Sequence, residues 1–134
     1  MEITLSIHQS DEPVAIMGIK GNLDASNFME VITKAQEAYQ NPARNLIIDL
    51  SEVPYISSAG LVAIHRIALL YGGISQGVES GGAESRLDFS QSSSAGKHVK
   101  LLSPQPGVDQ ILETTGLKLF FKVFDDLESA IISF

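Results

Sequence analysis

The first twenty residues alternate between apolar and polar side chains. Ile3, Leu5 and Ile7 stand at every second position, and a second apolar run extends over residues 14–19. A period of two is typical of β-strands, and the polar connection between the two runs is short. The pattern therefore predicts an N-terminal β-hairpin.

The apolar spacing changes to three and four residues after Gly21-Asn22-Leu23-Asp24. The apolar positions of this segment are Phe28, Val31, Ile32, Ala35, Ala38 and Tyr39. Such spacing forms one apolar stripe along an amphipathic helix. Asp24 or Ser26 can cap the helix at its start, and Asn41-Pro42 ends it.

Residues 45–50 are apolar on both faces of a strand, apart from Asn45 at the start and Asp49 near the end. This composition predicts a central strand that helices cover on both sides. Ligand and regulatory sites in open α/β sheets lie outside the carboxyl ends of the strands. Asp49 is therefore a candidate for the same edge as Ser57 and Ser58. The alternative is that Asp49 only accepts backbone hydrogen bonds in a turn.

The segment 59–71 reads as a helix with almost no polar face, since only His65 and Arg66 are clearly polar. A helix that is apolar nearly all round is either deeply buried or presents apolar side chains to a partner. Complete burial is hard to arrange in a small domain. We expect part of this helix to be a protein-binding surface, with a fully covered core helix as the alternative.

Ser57 and Ser58 stand between the central strand and this helix. Backbone N–H groups point outward at a helix N-terminus, and the helix dipole favours negative charge there. A serine at this position is therefore suited to phosphorylation. The alternative is a pair of helix caps, and one serine can cap while the other is modified.

Residues 72–97 interrupt the regular pattern. They are rich in glycine and serine and poor in large apolar side chains, which predicts a flexible loop or insertion within the domain. Regular structure is expected to resume with a strand at residues 99–102 and a short helix that Gly116 ends. A last strand over 119–124 and a terminal helix complete the prediction. That helix is capped by Asp125 with Glu128, and its inward residues are Leu127, Ala130, Ile131 and Phe134.

The predicted order indicates an α/β fold with a mixed sheet and helices packed against it. A chain of 134 residues with 44% hydrophobic content has the size of one domain, spanning residues 1–134. A net charge of −7 argues against nucleic acid as a partner. No basic, apolar leader and no apolar run of about 18 residues is present, so we expect a cytoplasmic protein without direct membrane insertion.

Three apparent catalytic signals do not fit their structural requirements. Residues 73–77 match the G-x-S-x-G pattern but follow a helix rather than a strand. Residues 94–98 resemble the end of a phosphate-binding loop, but Gln91 and His98 stand where the loop requires glycine and a hydroxyl. His8, His65 and His98 lack metal-ligand spacing, and the sequence contains no cysteine. We therefore expect neither an enzyme nor a metal or other cofactor.

Several segments resemble STAS domains of the bacterial anti-sigma-factor antagonist type. The matching segments are residues 21–24, 46–51, 55–61, 115–117 and 121–124. They follow the family order along essentially the whole chain except residues 72–97. The resemblance implies a single STAS domain.

In that family an anti-sigma serine kinase phosphorylates a serine at the helix start, and a phosphoserine phosphatase reverses the reaction. The resemblance implies that the unphosphorylated domain binds the kinase and releases a sigma factor. Ser58 matches the phosphorylated serine, ahead of Ser57, which stands where Asp is frequent. The partner-binding residues are expected to be Asp24, Asp49, Ser57, Ser58, Ala59, Gly60, Leu61, Val62 and His65. The alternative is a constitutive STAS scaffold, or a STAS subunit that accompanies a transporter, without phosphorylation.

Overall fold

The computed structural model describes residues 2–9, 13–40, 45–71, 98–119 and 121–134. Its strands are β1 (Glu2–His8), β2 (Val14–Lys20), β3 (Asn45–Glu52), β4 (Val99–Leu102) and β5 (Val123–Phe124). Its α-helices are α1 (Phe28–Gln40), α2 (Ser58–Tyr71), α3 (Pro106–Thr114) and α4 (Leu127–Ile132). The predicted alternation of strands and helices after a hairpin is confirmed. The predicted insertion at 72–97 lies outside the described residues.

The five strands form one mixed sheet in the order β1-β2-β3-β4-β5. β1 and β2 pair antiparallel as the predicted hairpin, whereas the β2–β3, β3–β4 and β4–β5 pairs are parallel. Parallel neighbours need a crossover connection, and α1 and α3 provide it for two of these pairs. All parallel strands therefore end at the same edge of the sheet, next to the start of α2.

The sheet has a front face that carries α1, α2 and α3, and a back face that carries α4. Side chains alternate along β3, so Leu46, Ile48 and Leu50 join the front core and Ile47 joins the back core. The Tyr71 hydroxyl of α2 donates to the Ala35 carbonyl of α1 at 2.9 Å. This hydrogen bond anchors the C-terminal end of α2 to α1.

The last predicted strand is much shorter than expected. The chain forms a 3-10 turn at Leu117–Leu119, and only Val123–Phe124 pair with β4. The Phe121 backbone N–H donates to the Leu117 carbonyl, and both side chains are buried in the front core. Burial of two large side chains from one turn outweighs the strand propensity of this aromatic segment.

The cap of α4 is also shifted by one residue from the prediction. Asp126, rather than Asp125, accepts a hydrogen bond from the Ser129 backbone N–H at 2.8 Å. Ala130 is buried as expected, but Leu127 is exposed. The prediction for Leu127 was wrong, because its side chain does not join the back core against which Ala130, Ile131 and Phe134 pack.

Candidate functional site

Two loops meet beside the start of α2. Leu23, in the loop after β2, forms a parallel bridge with Ile56. Its backbone N–H donates to the Tyr55 carbonyl at 3.0 Å, and its carbonyl accepts from the Ser57 N–H at 2.9 Å. The turn before α2 is thus held by backbone hydrogen bonds on its inner side, and its residues are presented in a defined geometry.

Ser57 is the N-terminal cap of α2. Its hydroxyl oxygen accepts from the Gly60 backbone N–H at 3.3 Å, and its carbonyl accepts from the Leu61 N–H at 3.0 Å. Such a cap satisfies one of the backbone donors that a helix leaves unpaired at its start, and contributes about 0.5–2 kcal/mol to stability. The hydroxyl of Ser57 is therefore engaged in holding the helix start.

Ser58 is the first residue of α2, and its side chain is exposed. The first turn of α2 contains no acidic residue. A negative group added there would meet the positive end of the helix dipole, an interaction worth about 0.3–1 kcal/mol at an exposed position. The two adjacent serines thus differ in role: one oxygen caps the helix, and the other faces solvent where the fold favours negative charge.

Gly60 allows this turn to pack closely against the loop after β2. A Cβ added at Gly60 would lie 2.7 Å from Ile56 Cγ1 and 2.8 Å from the Leu23 carbonyl oxygen. Real Cβ atoms do not approach other atoms this closely. The glycine is therefore required by the close approach of helix and loop, and it supports the site from inside rather than contacting a partner.

The solvent side of α2, which we call the outer α2 face, is partly apolar. It consists of Ser58, Ala59, Val62, Arg66, Leu69 and Leu70, of which Ser58 and Arg66 are exposed and the others half-buried. Leu61 is 7% exposed and His65 only 4%. Of the predicted contact residues, Ala59 and Val62 therefore lie at the surface next to Ser58, whereas Leu61 and His65 are buried.

Asp24 follows Leu23 directly and so lies in the loop that supports the helix start. Its carboxylate accepts hydrogen bonds from the Ser26 hydroxyl at 2.6 Å and from the Ser26 backbone N–H at 2.9 Å. These two bonds, the hydroxyl bond first, lower the pKa of Asp24 below its usual value. Asp24 is therefore ionised at neutral pH and adds negative charge to this loop.

Asp49 lies on the back face of the sheet, away from α2. It alternates with the front-core residues Ile48 and Leu50, and its carboxylate accepts from the Ser51 backbone N–H at 2.9 Å. It lines a groove of about 210 Å³ together with Glu2, Thr4, Gly18, Ile19, Lys20, Ser51 and Glu52. The backbone hydrogen bond agrees with the second interpretation given to Asp49, and the structure does not bring this residue to the outer α2 face.

Tyr55 is a candidate contact residue that the sequence analysis did not select. Its side chain is 51% exposed, and its carbonyl bonds to Leu23 within the same pair of loops. Exposed tyrosines supply large contact areas and are frequent among residues that dominate binding energy. The sequence contained a signal for Tyr55: an aromatic residue between the end of a buried strand and a helix start lies at the functional edge of an α/β sheet.

The structure also bears on the sequence motifs and histidines considered above. Within the described ranges, no group of three or more His, Asp or Glu side chains is arranged to hold a metal ion. His8 is exposed, and His98 Nδ1 lies 3.0 Å from Asn45 Oδ1. Residues 73–77 and 94–97 lie outside the described part of the chain.

No described helix is long and apolar enough to cross a membrane.

Comparison with solved structures identifies the fold. The structure of tm1081 from Thermotoga maritima, provisionally assigned as an anti-sigma factor antagonist, superposes with a TM-score of 0.67 at 23% identity, covering 95% of this chain and 91% of that one. The phosphorylated form of the Bacillus cell fate determinant SpoIIAA superposes with a TM-score of 0.57 at 14% identity, covering 96% of both chains. Because both identities are low, the two superpositions establish a common fold alone.

The same fold also occurs inside a larger protein. The murine anion transporter Slc26a9 matches with a TM-score of 0.59 at 15% identity, over 89% of this chain and 17% of the transporter. No curated protein matches the sequence significantly. The STAS domain profile matches residues 5–80, which is more than half of the chain. Sequence profile and fold agree, and the chain belongs to the STAS-domain family.

Proposed function

We propose that the protein is an anti-sigma-factor antagonist that works as a phosphorylation switch. In its unmodified form it binds an anti-sigma serine kinase through the outer α2 face and so releases a sigma factor. Phosphorylation of Ser58 turns this binding off, and a phosphoserine phosphatase restores it. The protein has no catalytic role in this scheme and acts in the cytoplasm.

The observation that carries the proposal is the difference in environment between the two adjacent serines. Ser57 is half-buried and caps α2, whereas Ser58 is exposed at the first helical position. A kinase can reach the exposed hydroxyl without disturbing the cap. A phosphate adds about −1.5 to −2 charge, which the helix N-terminus accommodates. Modification can therefore change the surface while the fold remains intact.

The outer α2 face supports the binding part of the proposal. Ala59 and Val62 are half-buried and offer apolar area next to the modified residue, and the half-buried Leu69 and Leu70 extend this area towards the other end of the helix. An apolar patch beside polar residues is a common feature of protein interfaces. A phosphate at Ser58 would have to lose its hydration when a partner covers this patch, which makes the complex unfavourable.

Phosphorylation with a cognate anti-sigma kinase tests the site. Wild type and Ser57→Ala are expected to gain one phosphate by intact-mass measurement, and Ser58→Ala is expected to gain none. Ser57→Ala should also lose about 1 kcal/mol of stability because it lacks the cap, so thermal unfolding serves as the check that each variant is folded. Equal phosphorylation of Ser58→Ala and wild type would refute the assignment.

A constitutive role is the second candidate, and the similarity to a segment of an anion transporter favours it. In that case the protein binds its partner without modification, as a scaffold subunit or beside a transporter. Recovery of a stable transporter complex from cells, together with no phosphate on Ser58, would support this candidate over the switch.

A further inference from the structure

The first strand forms an open edge of the sheet. β1 pairs with β2 on one side, and no described strand lies on its other side. Proteins protect such edges with charged residues, proline or bulges, because the unpaired backbone groups can bind another strand. Residues 3–7 contain no charge and no proline, and the β1–β2 register is continuous. The exposed edge of β1 can therefore pair with another β-strand.

The sequence of β1 is chemically palindromic about Leu5. When two copies of Glu2–His8 pair antiparallel with Leu5 opposite Leu5, residues of the same type face each other over positions 3–7. The opposed pairs are Ile3 with Ile7, Thr4 with Ser6, and Glu2 with His8. Cross-strand pairs of like apolar residues and of hydroxyl side chains stabilise antiparallel sheets. Self-pairing thus matches like side chains along residues 3–7.

The backbone is compatible with this register. The two paired residue numbers always sum to ten, so odd positions face odd positions and even positions face even ones. In an antiparallel edge, alternate residues direct their N–H and C=O groups outward. Either the odd-numbered or the even-numbered residues of β1 direct these groups outward. In the proposed register the outward-directed residues of one copy lie opposite the outward-directed residues of the other, so a regular hydrogen-bond ladder can form.

The apolar side chains of β1 have incomplete cover within one chain. Ile3 packs against the front core, but Leu5 and Ile7 are both 36% exposed. In the palindromic pairing, the Leu5 and Ile7 side chains of both copies lie on the same face of the joined sheet. They would cover one another and remove this apolar surface from water.

We propose that two copies of this chain associate through antiparallel pairing of their β1 edges, forming one continuous sheet. The proposal does not depend on the phosphorylation switch. α1 packs against both β1 and α2, so it separates the dimer contact from the outer α2 face. The interface is small and each copy carries a net charge of −7, so association is weak and strengthens as salt screens the repulsion.

Sedimentation equilibrium of the whole chain with Leu5 variants tests the pairing. The mass of the wild type is expected to rise from 14.4 kDa towards twice that value with concentration. Because Leu5 faces its own copy, Leu5→Lys and Leu5→Glu should each weaken the dimer at least about tenfold by like-charge repulsion. An equimolar mixture of these two variants should dimerise again. Lys and Glu variants of Ile132, which is 74% exposed, are the matched controls and should behave as wild type.

Cysteine trapping gives a second readout that does not need charged variants. The chain has no cysteine, so a disulfide in Leu5→Cys can form only between two copies. We expect oxidation to link Leu5→Cys into a dimer much faster than Ile132→Cys. A wild type that stays monomeric to about 500 μM, or equal linking of both cysteine variants, would overturn the proposal.

Discussion

Ser58→Asp is expected to keep the fold and to bind the anti-sigma kinase at least about 100-fold more weakly than wild type, a change of about 3 kcal/mol. The reason is that the carboxylate lies at the edge of the outer α2 face and must lose water when a partner covers that face. The fold itself tolerates the charge, because the first turn of α2 has no other acidic residue. Isothermal titration with the purified kinase measures the affinity.

Ser58→Asn is the matched control for this variant. Asparagine has nearly the same size and shape as aspartate but carries no charge, so Ser58→Asn should bind within a few fold of wild type. Equal loss of binding in both variants would mean that side-chain size at position 58 matters rather than charge. Undiminished binding by a folded Ser58→Asp protein would remove the electrostatic mechanism.

Gly60→Ala is expected to lower the free energy of unfolding by about 1–3 kcal/mol. The added Cβ would lie 2.8 Å from the Leu23 carbonyl oxygen, which is backbone and cannot move without disturbing the Leu23–Ser57 hydrogen bond. The start of α2 would have to shift away from the loop after β2. Urea unfolding measures the change, and weaker phosphorylation of Ser58 should accompany it.

Gly107→Ala is the matched control for the glycine prediction. Gly107 lies in the first turn of α3, and a Cβ there would meet no atom within 4 Å. The same substitution should therefore raise stability by up to about 1 kcal/mol, because alanine has the higher helix propensity. Similar destabilisation of both variants would show that the close approach at Gly60 is not the cause.

The order of elements could be predicted because the apolar periodicity is strong where side chains face one core. The strand predicted over 119–124 is present only as Val123–Phe124 among the described residues. The aromatic composition of the segment favours β structure locally, but Phe121 is buried in the front core from a turn. No pattern within the segment reveals that tertiary preference. The α4 cap shifted by one residue because Asp125 and Asp126 are chemically equivalent in the sequence.

The candidate site could be predicted in part. Ser57 caps α2, as one of the two serines was expected to do, and the modification of the exposed Ser58 stays a prediction. The face of Asp49 could not be predicted, because β3 is apolar on both sides and the alternation alone does not say which side carries α2. His65 is buried with Leu61 and Ala68, four residues before and three after it, and this helical spacing was readable in the sequence.

The central claim is that a phosphate on Ser58 controls binding at the outer α2 face. The most direct measurement is the affinity of one protein preparation for the anti-sigma kinase before and after stoichiometric phosphorylation, with phosphatase treatment as the return step. We predict that the unmodified protein binds, that the phosphorylated protein binds at least about 100-fold more weakly, and that dephosphorylation restores the original affinity. Equal affinity of the two forms, with Ser58 verified as the modified residue, would contradict the claim.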